Sequence, residues 1–108
     1  MTILLHNRKC QAQGAAPMSD VEIHAHLAQV SGWALKDGAI EKTFAFRNYH
    51  ETMAFVNATA WISHREDHHP DLSVGYNTCR VAYKTHAIDG LTENDFICAA
   101  KIDALFSL

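Results

Sequence analysis

The sequence contains few cysteines and no run of basic residues. Its 108 residues include three cysteines, Cys10, Cys79 and Cys98, which lie far apart in the chain. An odd number of widely spaced thiols is typical of free cysteines in a reducing compartment, so we expect a cytoplasmic location rather than a disulfide framework. Nine Lys and Arg residues are outnumbered by twelve Asp and Glu residues, for a formal net charge of -3. Without a basic patch to neutralise phosphates, nucleic acid binding is not expected.

Long hydrophobic runs are lacking as well. Near the amino terminus only Ile3, Leu4 and Leu5 are apolar in succession before His6. This run is too short for the hydrophobic region of a signal peptide or for a membrane span, so no membrane association is expected. The length is that of one domain, and a domain this small exposes much of its surface. A site shared between subunits, and hence a homo-oligomer, is therefore expected.

The first 17 residues show no apolar periodicity. After the short apolar start, residues 11–17 contain two residues that interrupt regular structure, Gly14 and Pro17. This composition predicts a mobile amino-terminal arm over residues 1–17, followed by a single domain over residues 18–108. The chain has no low-complexity tract and no sequence repeat.

A helix and a hairpin are predicted at the start of the domain. Ser19 and Glu22 have the spacing of a capping box, in which each side chain satisfies a backbone amide at a helix start, so a first helix is expected from about residue 20 to residue 31. Asp37-Gly38 is a dipeptide that favours a two-residue hairpin turn. Two strands are therefore expected on either side of it.

A long second helix is predicted over residues 49–67, where no helix breaker occurs. Apolar residues follow helical spacing there, at Ala54, Phe55, Ala58, Trp61 and Ile62. Pro70 biases His69 away from helical dihedral angles, so the helix should end at or just before His68. The consecutive histidines are therefore expected at a helix exit.

Two further strands and a closing helix complete the predicted order. Alternation predicts a third strand through Leu72, Val74 and Tyr76 and a fourth through Cys79, Val81 and Tyr83, with His86 on the opposite face of the fourth strand. Thr92 and Asp95 then fit the first turn of a last helix. The order α-β-β-α-β-β-α predicts an α+β domain with one four-stranded antiparallel sheet and three helices packed on one face.

Histidine is unusually abundant, with eight residues, of which His64, His68, His69 and His86 are clustered in the sequence. His64 and His68 would share a helix face, as in zinc proteases. Those enzymes carry a glutamate directly after the first histidine, whereas Arg65 occupies that position here, and a cation disfavours a divalent metal. We therefore predict no metal site, although a zinc-dependent hydrolase remains an alternative that elemental analysis would decide.

Acid–base catalysis without a metal is the other interpretation of these histidines. A dehydration needs one group that protonates a departing hydroxyl and another that accepts a proton, and histidine does both near neutral pH. The alternative is structural, since His68 and His69 at a helix end would offset the helix dipole. His6, His24, His26 and His50 lie outside the cluster and are interpreted as surface residues.

The residues after the paired histidines extend the pattern. In order, the chain has His64, His68-His69-Pro70, Tyr76, Thr85-His86, Gly90-Leu91-Thr92 and Asp95. This set resembles the pterin-4a-carbinolamine dehydratase family, whose members carry an ionisable residue, His-His-Pro, an aromatic residue, Thr-His, and Gly-Leu-Thr or Gly-Leu-Ser ahead of an aspartate. Gly32-Trp33, Phe44-Ala45-Phe46 and Phe55 extend the resemblance to roughly residues 20–107. At position 64 the family more often has an acidic residue.

The resemblance implies an enzyme that removes water from 4a-hydroxytetrahydropterin, giving the quinonoid dihydropterin that is recycled for aromatic amino acid hydroxylases. It implies no bound cofactor or metal and assigns catalysis to His68, His69 and His86. Substrate contacts are implied for three further residues, Asp95, His64 and Tyr76. For Asp95 the implied role is to orient a histidine by a hydrogen bond or to contact the substrate, and the alternative is a helix cap. For Tyr76 the alternative is a core position.

The resemblance also bears on partners. Relatives form dimers by continuing the sheet across an edge and pair again into tetramers through helices, so a homodimer or homotetramer that binds a small pterin is implied. Some relatives act as transcription coactivators. The alternative function is therefore a partner-binding role without catalysis.

Overall fold

The computed structural model describes residues 4–11 and 16–107. Within these ranges three α-helices and a four-stranded sheet follow one another as α1 (Asp20–Leu27), β1 (Ala34–Lys36), β2 (Ala39–Ala45), α2 (Tyr49–Glu66), β3 (Asp71–Val74), β4 (Thr78–Tyr83) and α3 (Glu93–Ala104). Short 3-10 helices occur at Leu5–Asn7, His86–Ile88 and Leu105–Ser107. The predicted α+β class and the order α-β-β-α-β-β-α are confirmed.

The sheet has the strand order β1-β2-β4-β3, and its neighbouring strands are antiparallel. Ile40 and Phe44 of β2 lie opposite Tyr83 and Cys79 of β4, and these four side chains are buried. Arg80 of β4 is on the other, exposed face. One face therefore packs against the helices and forms the core with Phe96, Ile97 and Ile102 of α3, while the other face is open to solvent.

Local turn chemistry accounts for the first hairpin. Asp37 and Gly38 have φ angles of 52° and 78°, which is the pair of positive values that a type I′ turn requires. Lys36 then pairs with Ala39 across the turn. The predicted two-residue hairpin is confirmed.

Helix α1 begins as predicted and ends earlier than predicted. The Ser19 hydroxyl accepts a hydrogen bond from the Glu22 amide, and the Glu22 carboxylate accepts one from the Ser19 amide, which is the expected capping box. The helix stops at Leu27, four residues before the predicted end at Ser31. The chain tightens there, because the amide of Val30 bonds to the carbonyl three residues back, and Val30 is buried in the core.

Helix α2 buries a different face from the one the apolar pattern predicts. Its buried residues are Thr52, Phe55, Thr59, Ile62 and Glu66, while Trp61 is 61% exposed. The two threonines are buried without cost because their hydroxyls donate to backbone carbonyls, Thr52 to Asn48 and Tyr76 and Thr59 to Val56. Phe55 and Ile62 were predicted correctly, and Trp61 was predicted wrongly.

Residues 4–11 of the predicted amino-terminal arm lie against α2 and α3. Leu5 is buried, the Cys10 amide donates to the Glu66 carboxylate, and the Gln11 amide donates to the side chain of Asn94. Nothing in the sequence pattern indicated these contacts. The mobility of the arm and the domain boundary after residue 17 stay predictions, and residues 1–3 and 12–15 lie outside the described residues.

Candidate active site

The carboxyl end of α2 directs His68 away from the helix axis. Asp67 adopts the left-handed conformation, with a φ angle of 50°, and the amides of Asp67 and His68 both donate to the Ser63 carbonyl. Pro70 follows two residues later and cannot extend the helix. The predicted helix end just before His68 is confirmed.

His68 is hydrogen bonded to Asp95 in the first turn of α3. The distance from His68 Nε2 to Asp95 Oδ1 is 2.6 Å. The Asp95 side chain is fully buried and that of His68 is 13% exposed. This contact joins the end of α2 to the start of α3, across 27 residues of sequence.

The second oxygen of the Asp95 carboxylate is also bonded. Asp95 Oδ2 accepts hydrogen bonds from the Thr85 hydroxyl at 2.8 Å and from the Thr92 backbone amide at 3.0 Å. Convergent donors of this kind satisfy the hydrogen-bonding needs of a carboxylate that is buried away from water. Asp95 thus caps α3 and contacts His68 at the same time, so the two interpretations offered for it are compatible.

The ring of Tyr83 packs against His68 from β4. The two ring centroids are 5.8 Å apart and the planes are within 11° of parallel. The Tyr83 hydroxyl is buried and has no hydrogen-bond partner among the described residues. Burial, followed by the nearby sulfurs of Cys98 and Cys10, raises the pKa of this phenol above its ordinary range, so Tyr83 is a neutral packing surface for His68.

His69 and His86 form a second, exposed pair beside His68. Their ring centroids are 6.0 Å apart with an interplanar angle of 25°. His69 Nδ1 is 3.2 Å from the Pro70 carbonyl oxygen, which selects the tautomer with the proton on Nδ1. His86 Nε2 is 3.9 Å from Asp71 Oδ2, and both of these side chains are largely exposed.

The position of His86 differs from the prediction. Strand β4 ends at Tyr83, and His86 begins the 3-10 helix His86–Ile88 instead of lying on the strand. The Thr85 amide donates to the Gly90 carbonyl and closes this loop, which returns the chain to α3. The loop, rather than the pleat of β4, therefore sets the direction of His86.

The other two predicted substrate-binding residues make no hydrogen bond or ring contact with His68, His69 or His86 within the part of the chain that the structure describes. His64 is exposed, and its ring lies 5.7 Å from that of Trp61 on the outer surface of α2. Tyr76 is 66% exposed at the turn between β3 and β4, so the core interpretation of this residue is wrong. At about 3.3 Å per residue along β3, Tyr76 lies more than 10 Å from the end of the hairpin that carries Asp71.

Thr85 and Asp71 are contacts that the sequence reasoning did not assign. Thr85 directly precedes His86, and Asp71 directly follows Pro70, so both were adjacent to motif residues. Their significance depends on pairing between distant segments, since Asp71 is opposite Ala82 across the β3–β4 ladder. A single sequence gives no signal for such a contact.

Three clefts in the surface of the described residues lie outside the histidine cluster. They have volumes of about 250, 410 and 340 Å³ and are lined by residues of the three helices, β2 and the amino-terminal arm, and none of these three includes His68, His69 or His86. In residues 4–11 and 16–107, no group of three His, Cys, Asp or Glu side chains is arranged to hold a metal ion. No helix in the same ranges has the length and apolar character needed to cross a membrane.

The fold and the histidines together define a small α+β domain with a His–Asp pair at a helix exit and two exposed histidines beside it. A family model described as Pterin 4 alpha carbinolamine dehydratase matches residues 16–105. The chain belongs to this family.

Curated relatives share more than half of the sequence. The chain is 58% identical over 106 residues to a Nitrosospira multiformis protein with the provisional name pterin-4-alpha-carbinolamine dehydratase, covering 96% of this chain and 94% of that protein. A Nitrosomonas europaea protein with the same provisional name is 59% identical over 105 residues, covering 94% and 93% of the two chains. The resemblance to this family is confirmed.

Solved structures share the fold. A crystal structure of a transcriptional coactivator/pterin dehydratase from Brucella melitensis matches with a TM-score of 0.80 and 29% identity, covering 83% of this chain and 98% of that chain. A pterin dehydratase-like protein described as a RuBisCO assembly factor in the alpha-carboxysome matches with a TM-score of 0.56 and 28% identity, covering 68% and 84% of the two chains. The fold thus occurs in relatives whose names include other roles than dehydration.

Proposed function

We propose that this protein is a pterin-4a-carbinolamine dehydratase that acts by histidine acid–base catalysis. In the reaction the C4a–O bond of a 4a-hydroxytetrahydropterin breaks, and the hydroxyl takes a proton from a general acid and leaves as water. A general base removes the N5 proton, and the N5 electron pair forms the N5–C4a double bond of the quinonoid dihydropterin. One proton is given and one is taken, so the step needs no redox cofactor.

The observation that carries the proposal is the hydrogen bond between His68 and Asp95. Asp95 is buried and hydrogen bonded to Thr85 and Thr92, so it is positioned to orient the His68 ring. When Nε2 donates to Asp95, the neutral ring has its lone pair on Nδ1. A histidine oriented by a buried carboxylate in this way suits proton transfer.

His69 and His86 supply the second half of the acid–base function in this proposal. Their centroid separation of 6.0 Å is too short for a flat ring to enter between them, because two stacked layers need roughly 7 to 8 Å. The pterin is therefore placed against the edges of these rings, next to His68. His69, with the Nδ1 proton directed to the Pro70 carbonyl, presents Nε2 as its acceptor.

The remaining predicted site residues are Asp95, His64 and Tyr76. Asp95 contacts His68, so we assign it to positioning, and any contact with the substrate stays a prediction. His64 and Tyr76 are exposed and no contact joins them to the histidines in a single chain. His64 lies four residues before His68, whereas Tyr76 would need another subunit or a substrate that extends along the surface to reach a pterin.

An ultraviolet stopped-flow assay of carbinolamine dehydration tests the reaction and the site together. Wild type is compared with His68→Ala, His86→Ala and the matched control His50→Ala, whose exposed side chain at the start of α2 is outside the site. We expect turnover to fall at least about tenfold in the two site variants and to be unchanged in the control. Unchanged turnover in both folded site variants would refute the assignment of these histidines.

A partner-binding role is the second candidate. The coactivator name of the Brucella melitensis relative raises it, and the exposed indole of Trp61 on α2 is the surface feature of this chain that favours it. A stable complex with a protein partner, formed by a chain that accelerates no carbinolamine dehydration, would support this role instead. Activity of the purified chain alone would favour the enzyme.

We also propose that the protein assembles as a homodimer or homotetramer in the cytoplasm. Strand β3 pairs with β4 on one side and is an edge of the sheet, so the backbone groups on its other side are available to a second copy. The cytoplasmic location rests on the thiols, since all three cysteines are unpaired.

A further inference from the structure

Two cysteines that are distant in sequence lie side by side in the fold. Cys10 belongs to the amino-terminal arm and Cys98 to the buried face of α3, and their sulfur atoms are 3.5 Å apart although 88 positions separate them in sequence. The third cysteine, Cys79, is buried in β4. A disulfide bond is about 2.05 Å long, so the two sulfurs need to approach by about 1.5 Å to form one.

Contacts on both sides of Cys10 hold its sulfur against α3. The Cys10 amide donates to Glu66 Oε1 at 2.9 Å. The next residue, Gln11, exchanges two hydrogen bonds with the Asn94 side chain, each of 2.9 Å. Arg8 forms an ion pair of 2.8 Å with Glu93. Several interactions around Cys10 therefore hold the two sulfurs close together, in addition to the contact between the thiols themselves.

We propose that Cys10 and Cys98 form a redox modification site, at which a low-molecular-weight disulfide such as oxidised glutathione converts the two thiols to an intramolecular disulfide. One thiolate attacks the exogenous disulfide, which forms a mixed disulfide and releases one small thiol. The second protein thiolate attacks the protein sulfur of this mixed disulfide and releases the other small thiol. Two protein thiols are oxidised and one small disulfide is reduced to two thiols, so atoms and electrons balance.

The two cysteines are suited to different steps. Cys10 is partly exposed and can meet the small disulfide, whereas Cys98 is buried. The hydrogen bond with Cys10 and then burial raise the pKa of the Cys98 thiol, so this group forms a thiolate reluctantly. Cys10 therefore makes the first attack on the small disulfide, and Cys98 makes the second attack, on the sulfur of Cys10.

The consequence of the bond is a covalent attachment of the arm to α3. Cys98 lies one helical turn after Asp95, the residue that contacts His68, so the arm is fastened directly behind the proposed site. A cross-link that closes so long a loop restricts the unfolded chain strongly. Oxidation should therefore raise thermal stability, and reduction should reverse the effect.

Intact mass and peptide mapping of the full-length protein test the proposal. After native incubation with oxidised glutathione, wild type should lose the mass of two hydrogen atoms, yield a peptide that links Cys10 to Cys98, and gain about 5 °C or more in Tm. The matched control Cys79→Ala should behave in the same way, whereas Cys10→Ser should show neither the linked peptide nor the gain. These readouts do not depend on dehydratase activity.

Four outcomes would overturn the proposal. These are three thiols that stay free in the folded wild type, a glutathione adduct that persists on Cys10, a cross-link that includes Cys79, and a disulfide between two chains. Each is read directly from the same mass spectra of wild type, so the test does not rely on a variant that folds poorly.

Discussion

Asp95 accepts a hydrogen bond from His68 with one carboxylate oxygen and caps the amide of Thr92 with the other. One buried side chain therefore links the end of α2 to the beginning of α3. The hydrogen bond to the Thr92 amide holds Asp95 in place, and the hydrogen bond with His68 allows Asp95 to orient the ring of that histidine in the proposed site.

Replacement of Asp95 by asparagine should separate these two roles. In Asp95→Asn only the amide oxygen can still accept a hydrogen bond, and the NH₂ group then faces donors, so stability should fall by about 1 to 3 kcal/mol. His68 loses its oriented tautomer, and kcat should fall at least about tenfold with a smaller change in KM. The measurements are thermal unfolding, stopped-flow kinetics and the His68 tautomer by nitrogen NMR.

The control for this substitution is Asp20→Asn, which changes an exposed aspartate in the first turn of α1. It should leave kcat and the His68 tautomer unchanged. If Asp95→Asn lowers stability while kcat and the tautomer match wild type, Asp95 is a helix cap alone.

Tyr83→Phe should not destabilise the protein. The Tyr83 hydroxyl is buried without a partner among the described residues, so its removal relieves an unsatisfied polar group while the ring that packs against His68 stays. We expect the free energy of unfolding to be unchanged or to rise by up to about 1 kcal/mol, measured by urea denaturation. Tyr49→Phe, at a half-exposed position, is the control, and a clear loss of stability in Tyr83→Phe would mean that the hydroxyl is bonded, by the Cys98 sulfur or by a buried water.

Much of the fold could be predicted because its boundaries depend on local chemistry. Asp37-Gly38 favours a type I′ turn through its own backbone preferences, and Pro70 prevents α2 from continuing. The prediction of the buried face of α2 was wrong for the opposite reason, because that face depends on contacts with distant residues. Thr52 has a polar side chain, yet it is buried because its hydroxyl donates a hydrogen bond to the Tyr76 carbonyl, which is 24 positions away.

The candidate site also has features that follow from local sequence and contacts that depend on tertiary packing. The location of His68 and His69 at a helix exit follows from the sequence, since it needs only Pro70 and the preceding helix. The contact of His68 with Asp95 and the stacking of His69 on His86 join segments that are distant in the chain. Their order in a motif indicated that they belong together, but only the tertiary packing defines which nitrogen meets which oxygen.

Protonation of Glu93 in acid should remove the contribution that its carboxylate makes to the stability of the protein. Burial raises the pKa of the Glu93 carboxyl, but hydrogen bonds from His26 and Arg8 outweigh it, and the pKa lies below its ordinary value of 4.5. A carboxylate with a lowered folded pKa stabilises the protein above the unfolded pKa, and the contribution is lost as pH falls through the folded pKa. Glu93→Gln should therefore lower Tm at about pH 7, and the deficit should shrink at about pH 3.

The control for Glu93 is Asp37→Asn, which removes the same charge from an exposed turn. Its difference in Tm from wild type should change little between the two pH values. A Glu93→Gln deficit that persists undiminished in acid would show that the carboxylate contributes packing and not charge.

The edge of β3 offers a test of the proposed assembly. The Gly75 amide donates to the Thr78 carbonyl across the hairpin, and amides alternate along a strand, so the amides of Leu72 and Val74 are directed away from β4. Val74→Pro removes one outward donor without breaking the β3–β4 ladder, since proline is tolerated on that side of an edge strand.

If two copies pair along β3, each loses a hydrogen bond in this variant, and the dimer should weaken about tenfold or more. Analytical ultracentrifugation measures the dissociation constant of the dimer for Val74→Pro and for the control Val74→Thr, which keeps the amide. A wild type that sediments as a 12.0 kDa monomer contradicts the assembly, and an unchanged dimer in Val74→Pro places the interface elsewhere.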